Sequence, residues 1–132
     1  MGDISTIVLA EDDDAVRRMM AVLLRYFGHR VLEARDGHEA ALLCESDVMI
    51  DLLITDLIMP RVTGWELLQR LCLRPHPPRV LVVSALAVDA STIELPKLSK
   101  PFTPQQLRTA VDAALAGPPL PAQLPLVVEL KT

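Results

Sequence analysis

Five short strand-like runs, alternating with stretches of helical spacing, constrain this chain more than any other feature. They are Thr6–Ala10, Arg30–Ala34, Leu52–Thr55, Val80–Val83 and a short segment ending at Ser99. Strand-like runs that alternate with helix-like runs predict an α/β unit, a parallel sheet with helices on both faces. Leu52–Thr55 is apolar throughout, as a strand covered on both faces should be, and reads as central. Arg30–Ala34 is half polar and reads as an edge.

The helices carry their own punctuation. Asp14 to Phe27 sets Val16, Met20, Leu23, Leu24 and Phe27 at helical spacing, with Gly28 as the stop. Asp36-Gly37-His38-Glu39 has the cap and third-position acid of a capping box. Gly64, expected to take a backbone angle closed to other residues, opens a helix with Trp65, Leu68, Leu71 and Cys72 on one face, ended by Pro75, Pro77 and Pro78. Thr103-Pro104-Gln105-Gln106 combines a cap, a first-turn proline and a capping-box glutamine ahead of Leu107, Ala110, Val111, Ala114 and Leu115. Between Ser84 and the last strand there is room for at most a short helix, because Pro96 breaks it.

At 132 residues the chain makes about one domain, placed at 1–117. The core must be aliphatic, since only 3% of residues are aromatic while 51% are hydrophobic. A net charge of −4 gives no electrostatic footprint for nucleic acid, so none is expected to bind this chain alone. No apolar run approaches the roughly 18 residues of a membrane span, and no basic and apolar leader opens the chain. A cytoplasmic location is expected. Cys44 and Cys72 lack partners at metal spacing and read as reduced, buried thiols. His29, His38 and His76 stand among polar or turn residues and read as exposed. The segment 118–132 reads as a Pro-rich tail or linker: four prolines in Pro118–Pro125 favour extended geometry over packing. Leu126–Leu130 is open to three readings, a stray strand, the start of a further domain or an arm on a neighbour.

In an open parallel sheet every strand's carboxyl end lies on one edge, where ligands bind. Glu11-Asp12-Asp13, Asp56, Ser84 and Lys100-Pro101-Phe102 all fall at such ends. Carboxylates gathered with one hydroxyl and one lysine suit a hard divalent cation and a phosphoryl group. Asp56 can act as a nucleophile without a base, since an ordinary aspartate is ionised at neutral pH. Glu11, Asp12 and Asp56 together carry charge that is costly without a cation, and magnesium resolves it.

These marks, with the block Asp56-Leu57-Ile58-Met59-Pro60, Gly64 and the pair Ser84-Ala85, resemble the receiver domain of two-component response regulators, of the kind seen in the single-domain chemotaxis regulator. The resemblance runs from about Thr6 to Leu115. It implies a doubly wound five-stranded parallel sheet of the flavodoxin-like receiver fold, ordered two, one, three, four, five. It implies a phosphoacceptor, not a turnover enzyme, that takes a phosphoryl group onto Asp56 with Mg2+ from the histidine of a sensor kinase or histidine phosphotransfer protein. Glu11 and Asp12 would be the metal pair, with the main-chain carbonyl of Ile58 as a further ligand. Lys100, before a cis proline, would meet phosphoryl oxygens, and Ser84 would hydrogen-bond the group once formed. Aliphatic Ile58 and Leu86 would flank that group and shield it from water.

Two departures stand out. Lys97 occupies the position where the family's switch has an aromatic ring, and the Ser84-to-Lys100 spacing is short by roughly six residues, under two helical turns. The fourth helix of the family is therefore expected to be shortened or missing. The alternative function is a receiver-like adaptor that signals by docking without phosphorylation. A hydrolase using Asp56 is disfavoured because Ile58 stands where a second catalytic acid is needed.

Overall fold

The structure, a computed structural model, describes residues 4–57, 59, 62–85 and 95–122. Five parallel strands, β1 Thr6–Ala10, β2 Arg30–Ala34, β3 Leu52–Thr55, β4 Arg79–Ser84 and β5 Lys97–Ser99, form one sheet in the order β2-β1-β3-β4-β5. Four helices accompany them among the described residues: α1 Asp14–Tyr26, α2 Gly37–Cys44, α3 Gly64–Leu71 and α4 Pro104–Ala116. The expected order, the central place of β3 and the edge place of β2 all hold. Residues 86–94 lie outside the described residues, and with them most of the segment expected to lack a full helix.

Strand alternation divides the core in two, because successive side chains point to opposite faces. Ile7, Leu9, Leu52, Ile54, Leu81 and Val83 face α1 and α4, where Met20, Leu24, Leu107 and Val111 meet them. Val8, Ala10, Leu53, Val80 and Val82 face α2 and α3, with Leu67, Leu68 and Leu71. Cys44 and Cys72 are free and buried on this second face, and burial, then the Glu45 charge, pushes the Cys44 thiol up to about 12.

Local differences from the sequence reading have physical causes. Gly28 does end α1, at φ 102°, where a residue with a Cβ is disfavoured. Gly64 is not at a positive φ: a Cβ there would strike the Asp56 carbonyl oxygen, so glycine is needed for close approach. The box on α2 is half made, since Asp36 accepts the Glu39 N–H while Glu39 reaches back to the Arg35 N–H. A complete box instead starts α3, between Thr63 and Glu66, and another starts α4, between Thr103 and Gln106. The segment after Gly117 packs where extended polyproline geometry is expected: Leu120 is 3% exposed, lies in the α2–α3 core, and donates its N–H to the Pro78 carbonyl at 3.0 Å. Residues 123–132, including Leu126–Leu130, lie outside the described residues.

Candidate functional site

The chain places its chemistry where four strands end. Glu11 follows β1, Asp56 follows β3, Ser84 closes β4 and Lys100 follows β5. The register keeps these ends level: Ala10 pairs with Thr55 and Ser84 with Ser99.

Lys100 draws the group together. Its Nζ lies 2.5 Å from Glu11 Oε1 and 3.4 Å from Asp56 Oδ2, so one ammonium bridges carboxylates from two strands. Its main-chain N–H donates to the Ser84 carbonyl at 3.0 Å, and the Lys100–Pro101 bond is cis, as expected. Partial burial works against the charged ammonium, but the Glu11 hydrogen bond and the Glu11 and Asp56 charges more than offset it, so the Lys100 pKa is raised. Lys100 is therefore a fixed cation at neutral pH.

Glu11 is the buried member, only 3% exposed. Its second oxygen accepts the Asp13 N–H at 3.0 Å, so the two oxygens are shared between the N-cap residue of α1 and Lys100. Asp13 caps α1 by accepting the Val16 N–H, and Asp14 occupies the first turn, the places the helix dipole favours for acids. Asp56 is half-buried, and its carbonyl is held from both sides, by the Thr55 hydroxyl at 2.8 Å and by the close approach of Gly64. The Gly64 N–H donates to the Leu57 carbonyl, which closes the loop after Asp56. Ser84 is buried at the end of β4, and Ala85 beside it is exposed.

The structure joins Glu11, Asp56, Ser84 and Lys100, whereas Asp12 sits exposed on the rim next to Glu11 and Ile58 lies outside the described residues. Among the described residues no three carboxylate, imidazole or thiol groups gather as a metal-holding cluster. What converges is a pair of hard oxygen donors with an acidic rim. That donor set fits a small divalent cation that keeps most of its waters and takes one or two carboxylates.

Sequence reasoning missed Arg17. It is buried beneath the β1–α1 turn, with Nη1 donating to the Glu11 carbonyl at 3.1 Å and Nη2 to Asp14 Oδ1 at 2.7 Å. The hydrogen bond and charge of Arg17 hold the exposed Asp14 carboxyl below its ordinary 3.8. The i,i+3 Asp14–Arg17 spacing was a legible signal for that pair, though not for its burial. His76 is exposed as expected, but His29 and His38 are half-buried, and His29 Nδ1 accepts the Ser5 N–H at 3.4 Å. Trp65 packs against the α2–α3 core.

Residues 7–112 match the family described as response regulator receiver domain. The chain is 36% identical over 119 residues to sensor kinase CckA of Brucella abortus strain 2308, across 84% of this chain and 12% of that protein. It spans less than half the length of curated relatives that it matches, from 11% to 47% across eight of them. Among solved structures, it is similar to the receiver domain of the hybrid histidine kinase CckA at a TM-score of 0.72 and 37% identity, covering 83% of this chain and 98% of that one. Its fold is also that of Vibrio cholerae chemotaxis protein CheY4, at a TM-score of 0.75 and 22% identity, covering 85% and 99%.

Proposed function

The chain belongs to the response regulator receiver family, and on that premise we propose that it accepts a phosphoryl group on Asp56 from a phosphohistidine of a sensor histidine kinase or a histidine phosphotransfer protein. The observation that carries this reading is the Lys100 ammonium shared between Glu11 and Asp56 at the sheet's carboxyl edge. An Asp56 carboxylate oxygen forms a bond to phosphorus as the donor's N–P bond breaks, and the histidine nitrogen keeps the electron pair. In this reading Lys100 pairs with oxygens of the transferring group and offsets its charge. Ser84, buried at the end of β4, supplies the hydroxyl for the group once it is on Asp56.

Glu11, Asp12 and Asp56, with the main-chain carbonyl of Ile58, are the ligands proposed for Mg2+. When bound, that ion offsets the negative charge of the carboxylates and phosphoryl oxygens. The reading makes the chain a signalling receiver over 1–117 with 118–132 as tail or linker, working in the cytoplasm, where ATP-fed kinases act. Acetyl phosphate with magnesium should add one phosphoryl group, located at Asp56 by mass spectrometry and absent in Asp56→Asn. Labelling that survives Asp56→Asn rejects the assignment.

Docking without phosphorylation is favoured by one observation. At the switch position, Lys97 donates from Nζ to the Leu95 carbonyl at 3.2 Å, so no aromatic ring is there to rotate. Failure of both acetyl phosphate labelling and magnesium-dependent phosphate-analogue binding would select this second reading.

A further inference from the structure

Arg17 is 6% exposed, and burying a guanidinium is costly unless its fork of donors is used. It is used on three elements at once. Nη1 bonds the Glu11 carbonyl at the end of β1, Nη2 bonds Asp14 in the first turn of α1, and Nε lies 3.4 Å from Glu33 Oε1 on β2. An apolar side chain would fill the same place at lower desolvation cost, so holding the fold together does not account for a charge there. A guanidinium adds direction, because its planar fork fixes the peptide that carries Glu11 and leads into Asp12.

We propose that Arg17 is a positioning residue that sets the magnesium affinity of the Glu11–Asp12 turn. The inference rests on the reading of the site given above and extends it to a side chain that touches neither metal nor phosphoryl group. Two effects oppose each other. The positive charge of Arg17 disfavours a nearby cation, while its grip on Glu11 and the turn favours one. The grip wins, because Asp14 and Glu33 neutralise the guanidinium, with Arg25 sharing Glu33 at 3.3 Å. Residues that orient a metal's ligands from behind are worth on the order of tenfold or more in affinity.

Magnesium titration of the full chain, read by Trp65 fluorescence, tests this without any phosphoryl transfer. Trp65, the one tryptophan of the sequence, directly follows Gly64, which abuts the Asp56 carbonyl. Arg17→Met, which keeps the stem and removes the donors, should weaken magnesium binding on the order of tenfold in protein shown to be folded by circular dichroism. Arg17→Lys keeps the charge but brings three donors on one nitrogen, and should lose roughly threefold. A purely structural role predicts lower melting temperatures with unchanged magnesium affinity below them, and that result overturns the proposal. Should Arg17→Met fail to fold, Arg17→Lys decides alone, and wild-type affinity in it overturns the proposal. If the wild type itself gives no magnesium response by fluorescence or calorimetry, the underlying site reading has failed and this inference falls with it.

Discussion

A lysine held by two carboxylates has a measurable pH signature. Because the Lys100 pKa is raised above its ordinary 10.5, its contribution to stability is fully present below that value and is lost as pH rises through the folded pKa. Lys100→Met should therefore cost about 1–3 kcal/mol at pH 7, by leaving Glu11 buried beside Asp56 without their shared donor. Urea denaturation from pH 7 to 11 should show the gap between wild type and variant constant at first and narrowing above the ordinary lysine range. A gap that widens there contradicts the assignment. On the rim, Asp12→Ala should abolish the Trp65 response to magnesium; an unchanged titration removes Asp12 from the site. Glu11, Asp56, Ser84 and Lys100 were legible because each is polar at the end of a strand-like run, where a parallel sheet makes positions converge. Arg17 was not, because arginine in an amphipathic helix ordinarily reads as solvated, and only the tertiary meeting of β1, α1 and β2 buries it. The sequence also left His29 and His38 too exposed, and His29 takes its partner from Ser5, a residue far away in the chain.

Most elements were legible because caps and breakers mark them. Gly28, Thr103 with Gln106, and the prolines after Leu71 all do what their chemistry predicts. Gly64 was identified for the wrong reason: its backbone angle is ordinary, and its need for glycine comes from a contact across the loop that no local pattern encodes. The consequence can be measured. Gly64→Ala should destabilise the chain by about 1–3 kcal/mol, the usual cost of forcing extra volume into a packed site, and should slow acetyl phosphate labelling of Asp56. Gly117→Ala is the control. Its Cβ would meet its nearest neighbour at 3.5 Å and its φ is −88°, so stability should change by about 0.5 kcal/mol or less. Thermal or urea melts of the two variants side by side should separate them clearly; equal losses would mean that the close approach at Asp56 is not what glycine serves.

At the scale of the molecule, the sheet separates two aliphatic half-cores, and the last described segment belongs to one of them. Leu120 fills the α2–α3 side, and Arg79 Nε donates to the Gly117 carbonyl at 2.7 Å, fastening the end of α4 to the start of β4. Leu120→Ala should cost about 2–5 kcal/mol, as for other buried leucines, measured as a lower urea midpoint at unchanged slope. A change near zero would show that the segment does not seal the core. Its packing was illegible because the prolines around Leu120 argue for extended chain, and a single leucine among them carries no periodicity.

The Lys100 bridge has one further consequence. β5 is the shortest strand, three residues long, at an open edge of the sheet, with no fully buried side chain. Left to its own ladder such an edge would fray first. Lys100, the next residue, reaches past β4 to Asp56 and Glu11, so charges at the ends of the central strands moor the free margin of the sheet. Whatever draws that ammonium away, or takes up the charge it answers, slackens the mooring. On the proposed function, phosphorylation of Asp56 should therefore loosen the outer strand, readable as faster amide exchange along β5 and in no residue of the α2–α3 core.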